Sequence, residues 1–185
     1  MEQIDFQTAE YRKAQSGFSL LELLLVVGVG ALLLLAGIAT YRLVTQGNDV
    51  NDAIRILTTI KAQTQKAFQG QNGYGASGTD LVPTLAAMQA FPAGVLDTAN
   101  IPRHPWGDTI AIASAADTRS FDLTFTNVPS DACINLGTTF DSRDTDFLGL
   151  AVGGTTFTST DIIDPNALVG PCTAAATTNM VWTFR

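Results

Sequence analysis

Glu22 sits four residues past Phe18 in the stretch GFSLLELLLVVGVGALLLL, and no further charge follows from Leu23 to Ala39. On insertion scales a carboxylate at the centre of a bilayer costs roughly 2.5–3.5 kcal/mol. A segment that only anchors, or is only discarded, has no use for that penalty, so Glu22 calls for a cation. A cut between Gly17 and Phe18 supplies one, the freed α-amine of Phe18. Residues i and i+4 share one face of a helix, so Glu22 can pair with its own Phe18 amine or with a neighbouring chain's. Across chains only one axial offset brings charge to charge. The pair then works as a register key for self-assembly, and breaking such a buried pair typically costs about 3–5 kcal/mol.

Other residues invite chemistry less strongly. His104 is the single histidine, flanked by Pro105 and Trp106, and reads as a loop residue contributing a hydrogen bond. No nucleophile–base pair is visible beside it, so the chain is expected not to be an enzyme. Asp141, Asp144 and Asp146 in DSRDTDFLG are a weak calcium candidate, since their spacing is not that of an EF-hand loop. The competing reading is a solvated acidic turn with Arg143 as counter-ion. GYGASG (73–78) lacks the Gly-Lys-Ser/Thr of a phosphate loop and reads as a flexible connection. No cofactor is expected. Cys133 and Cys172 either pair, which an oxidising compartment permits, or remain two buried thiols.

The elements that must position these residues follow from hydropathy and charge. The 185 residues carry a net charge of −7, with 15% charged residues and a mean hydropathy of +0.20. The eight Lys and Arg from Arg42 onward are scattered. Nucleic-acid binding therefore lacks its electrostatic footprint. Phe18 to Tyr41 meets the roughly 20 apolar residues that span about 30 Å of hydrocarbon. Arg12 and Lys13 before it hold the amino end in the cytoplasm.

Val50, Ile54, Leu57, Ile60, Thr64 and Phe68 continue a helical stripe, with Asp52, Arg55, Lys61, Gln63 and Lys66 turned elsewhere. Gly47-Asn48-Asp49 is its weak point, a bend or a fresh N-cap. Beyond it the pattern predicts a short helix in 81–91 and strands at 109–114 and 120–128, joined by a turn at Ala116-Asp117-Thr118. It also predicts a helix in 129–140 capped by Ser130, a weak strand in 146–154 and a terminal strand at 179–184. Residues 141–179 read as surface loops, and Trp106 and Trp182 as core. The fold class is α+β. A long N-terminal α-helix, apolar in its first half and amphipathic in its second, packs on a small antiparallel sheet. The expected division is a leader at 1–17, the long helix at 18–68 with 18–41 as membrane or filament-core segment, and a globular head at 69–185.

An ordinary signal peptide cut after Ala39, at AGIAT, is the plainer alternative. Glu22 inside the apolar core counts against it, as does the amphipathic helix that follows directly.

The stretch GFSLLELLLVVGVGALLLL closely resembles the class III signal of type IV pilins and their pseudopilin relatives. That resemblance implies cleavage after Gly17 by a prepilin peptidase, N-methylation of Phe18, and docking assisted by Glu22. It also implies a pilin-like fold with a cysteine pair near the C-terminus. HPWGD (104–108) is similar to a loop of many family members, and VPSDACINL (128–136) resembles the first cysteine segment of conjugative thin-pilus subunits. The leader and mature lengths resemble the type IVb subclass, whereas Phe18 as first residue is favoured in type IVa. The implied function is a structural subunit of a pilus used for adhesion, aggregation, motility or conjugative contacts. The implied partners are other copies of the chain, the prepilin peptidase, the inner-membrane assembly machinery, and membrane lipid before assembly. The implied location is the inner membrane with a periplasmic head, then the extracellular filament. A type II secretion pseudopilin and a membrane-anchored periplasmic binding domain are the other readings.

Overall fold

Forty-eight consecutive helical residues, Leu20–Ala67, form α1 in the computed structural model, which describes residues 19–185, the side chains of residues 39, 42 and 43 excepted. Gly17 and Phe18 lie outside the described residues. The helix runs through Gly47-Asn48-Asp49, so no fresh N-cap forms there. One helix-interior glycine costs about 1 kcal/mol, too little to break a helix whose following turns are held by packing. The chain divides into two compact units, one ending at Leu43 and the other Val44–Arg185.

In the first unit the segment Leu20–Ile38 has a mean hydropathy of 2.6 and is long and apolar enough to cross a membrane. None of that segment is buried. Leu20, for example, is 78% exposed. Apolar surface on this scale is sheltered in a working protein by lipid or by other chains.

The second unit is an antiparallel sheet covered by the rest of α1 and by three short helices. Its elements are α2 (Val82–Ala87), β1 (Ile110–Ser114), β2 (Phe121–Pro129), α3 (Ser130–Gly137), β3 (Phe147–Val152), β4 (Thr155–Thr158), α4 (Pro165–Thr173) and β5 (Thr177–Phe184). The strand order is β1-β2-β5-β3-β4, all pairs antiparallel. The last strand is thus the central one, and Phe184 pairs with Phe121 on one side and Phe147 on the other. Alternate residues of β5, Met180, Trp182 and Phe184, are buried with Phe121, Leu123 and Phe125 of β2. Ala53, Ile56, Leu57, Ile60 and Thr64 of α1 are buried in the same core.

Several expectations are corrected. Lys61 does not turn away from the head. Its Nζ lies 5.0 Å from the Phe140 ring centroid, 5.1 Å from that of Phe184 and 3.8 Å from Asp146 Oδ2. The long aliphatic stem lets an ammonium sit at the margin of a core, over aromatic faces. Ser130 is not a cap. Pro129 occupies that position straight off β2, and no side chain caps α3. Trp106 is only half-buried, whereas Trp182 is fully buried.

Residues 141–179 are not loop alone: β3 is the strand expected at 146–154, and β4 and α4 are added to it. Signals for two of these were present. Gly153 and Gly154 both have positive φ, 54° and 84°, in the two-residue turn between β3 and β4, which suits a hairpin glycine pair. Asp164 caps α4 by accepting from Asn166 N, with Pro165 at the first helical position. Pro171 within α4 masked that helix in the sequence.

Candidate functional site

Glu22 lies in the first turn of α1 and is solvent-exposed. Leu23 N donates to Ser19 O at 3.1 Å, closing that turn. A carboxylate there is favoured by the helix dipole, which concentrates partial positive charge at the amino end. Among the described residues no ion pair reaches Glu22. It is the sole charged residue between Leu20 and Tyr41. The proposed partner, the Phe18 amine, lies outside the described residues, as does Gly17.

In the second unit Cys133 of α3 and Cys172 of α4 form a disulfide, with Cα atoms 5.7 Å apart. Both are fully buried, and the bridge ties α4 to the helix that leaves β2. Of the two readings left open by the sequence, pairing is the one observed.

His104 is a buried structural residue. Its Nε2 donates to Thr126 O at 2.7 Å, and its ring stacks on Phe125 at 5.4 Å. Burial pushes its pKa below the ordinary 6.5, against the opposing pull of the Thr126 hydrogen bond and the Asp108 charge. Nearby, Asp97 accepts from Ile101 N, Ala99 N and Arg103 Nε. The Ile101 N–H, then Arg103 and the Ala99 N–H, hold its carboxyl below the usual range, against an opposing effect of burial.

The weak calcium candidate is not assembled. Asp141 accepts from Arg143 N and pairs with Arg143 Nε at 3.4 Å, whereas Asp146 pairs with Lys61. Among the described residues no three His, Cys, Asp or Glu side chains gather into a group that could hold a metal. Arg143 and Lys61 thus already answer two of the three carboxylates that a metal would need.

Relatives place this architecture. The family described as "PilS N terminal" matches residues 48–185, and the prokaryotic N-terminal methylation motif matches residues 12–38. No protein of curated function matches. Among solved structures, the chain is similar to a type IV b pilin from Salmonella typhi. That likeness has 24% identity and a TM-score of 0.56, over 74% of this chain and 97% of that one. It is also similar to TcpA, a type IV pilin from Vibrio cholerae El Tor biotype. There the identity is 14% and the TM-score 0.54, over 74% of this chain and 98% of that one. Both likenesses speak for the fold alone. That family is one of structural, non-enzymatic subunits, and the methylation motif implies processing by a prepilin peptidase. With the family matching most of the chain and the motif matching its start, the chain belongs to the PilS family of type IV pilins and is a structural subunit of a pilus.

Proposed function

We propose that the chain is made as a precursor, cut between Gly17 and Phe18, methylated on the new Phe18 amine, and polymerised through residues 18–41. Before assembly it spans the inner membrane once, with Arg12 and Lys13 on the cytoplasmic side and the head in the periplasm. A periplasmic head suits the disulfide between Cys133 and Cys172.

One observation carries the reading: an uncovered apolar segment, Leu20–Ile38, whose single charge, Glu22, lies in the first turn of α1. Exposing such a surface to water costs about 25 cal/mol per Å². Neighbouring helices in a filament replace lipid as its shelter, and the Glu22–Phe18 amine pair sets their stagger. The heads then form the filament exterior and carry its contacts for adhesion, aggregation, motility or conjugative transfer.

The test is Glu22→Ala. Processing to a Phe18 start should continue largely unchanged, while the yield of sheared filaments falls sharply. Normal filament yield in that variant contradicts the register role.

A further inference from the structure

The sheet ends in two edge strands, β1 and β4. An edge strand carries a row of outward N–H and C=O groups on which another chain can add a strand. Antiparallel partners exchange both bonds only at alternate residues, so the register shows which groups turn outward. In β1, Thr126 N donates to Thr109 O and Ala115 N to Ser120 O, which sets the odd-numbered residues towards β2. The even-numbered ones turn outward and meet backbone of their own head. Ile110 N donates to Pro102 O, Leu81 N to Ile112 O, Ser114 N to Thr79 O, and Gly78 N to Ser114 O. That edge is covered.

No strand or bridge covers β4, and Thr155, Thr156 and Thr158 are exposed. The Gly153-Gly154 turn pairs Val152 with Thr155 and Leu150 with Phe157, and Ser159 N donates to Leu148 O at 2.9 Å. Thr155, Phe157 and Ser159 therefore face β3, while Thr156 and Thr158 turn their backbone groups outward. Among the described residues those of Thr156 meet no partner. Those of Thr158 are closed by a single residue. Thr158 N donates to Asp161 Oδ2 at 2.7 Å, Thr158 Oγ1 donates to the same oxygen at 2.9 Å, and Asp161 N donates to Thr158 O at 3.0 Å. The Thr158 N–H, then its hydroxyl, hold the Asp161 carboxyl below the usual range, against an opposing effect of burial. The guard is thus an ionised acceptor at neutral pH.

Were the carboxylate absent, Thr156 and Thr158 would form an open edge that fits its own copy. In an antiparallel pair about a two-fold axis, Thr156 of one head faces Thr158 of the other, and the reverse. The Thr158 carbonyl keeps a second lone pair beside the Asp161 N–H, so its N–H is the group that must be freed. We infer that Asp161 is an inhibitory contact: by holding the Thr158 N–H it keeps β4 from pairing with the β4 of a second copy. The consequence rests on the filament reading. Heads on a filament exterior repeat the same edge many times, and pairings that are weak singly add up along two filaments laid side by side.

The experiment uses the full-length chain, both in detergent and as sheared filaments. In detergent the wild-type Thr158 amide should exchange about tenfold more slowly than that of Thr156, and Asp161→Ala should remove the difference. Asp161→Ala filaments should adhere side by side, raising the fraction pelleted at low speed by about fivefold and protecting the Thr156 amide. Asp161→Asn, whose side-chain oxygen still accepts, should stay dispersed. Adding Thr156→Pro, which deletes a donor at an edge position where proline is tolerated, should disperse the alanine variant again. Three results overturn the guard and leave the pilus reading standing. They are dispersed Asp161→Ala filaments, adhesion that survives Thr156→Pro, and a wild-type Thr158 amide as fast as that of Thr156. A wild-type chain that forms no filaments overturns the pilus reading, and the two amide rates in detergent then decide the guard by themselves.

Discussion

His104 Nε2 donates to the carbonyl of Thr126 at 2.7 Å, and that carbonyl is available because β2 bulges there. The register jumps between Phe125 and Val128, so Thr126 and Asn127 together oppose one residue of β5. A bulge takes a backbone group out of the ladder and re-aims it. Asn127 has φ 52°, and its N–H is met by Asn179 Oδ1 at 3.0 Å. The HPWG loop is thereby fastened to the sheet.

This bond predicts a pH dependence. The groups around the ring are Asp108, which attracts the imidazolium, and Asp52, Arg55 and Arg103 along an adjoining groove. The folded pKa of His104 is lowered by burial, so below pH 6.5 the unfolded chain binds the proton more readily. The stability supplied by neutral His104 is present above 6.5 and is lost as pH falls towards the folded pKa. Urea midpoints of the full chain in detergent should fall over that window. His104→Gln, which keeps a donor but does not titrate, should flatten the slope; an unchanged slope contradicts the assignment.

Lys61 should matter more through its aromatic contacts than through its ion pair. Asp146 is half-exposed, and such pairs are worth about 0–1 kcal/mol. The two rings and the buried stem add about 1–2 kcal/mol. Lys61→Ala should therefore destabilise the head by about twice as much as Asp146→Asn, read as shifts in urea midpoint. Equal losses would assign the effect to the ion pair.

Removing the disulfide should be the costliest of these changes. It closes a loop of 39 residues, and the chain-entropy model gives about 4 kcal/mol for that length. The double variant Cys133→Ser, Cys172→Ser should unfold at a markedly lower urea concentration, with α4 the first element to lose amide protection. A midpoint within error of the wild type would show that the bridge adds nothing to packing.

Much of this was legible from residue order. The apolar run, the amphipathic stripe and the alternation in β1, β2 and β5 each follow one periodicity, and such patterns survive into the fold because burial enforces them. Glu22 stands out in the sequence because its cost is anomalous, and its proposed partner lies outside the described residues. Lys61 was not legible, since a lysine stem covers apolar surface while its charge marks it as solvent-facing. β4 escaped because the burial of its four residues, Thr155–Thr158, shows no alternation. α4 escaped because Gly170 and Pro171 disguise a helix that the disulfide and the Asp164 cap support. The bulge at Thr126 and Asn127 leaves no mark on hydropathy, so the link between His104 and the sheet emerges only in three dimensions.

The central claim is that proteolysis between Gly17 and Phe18 uncovers the cation that Glu22 requires. Intact-mass and N-terminal analysis of chains from sheared filaments tests it most directly. The expected species is residues 18–185 with an N-methylated Phe18 and both cysteines oxidised. Filaments built from chains that still begin at Met1 would contradict it.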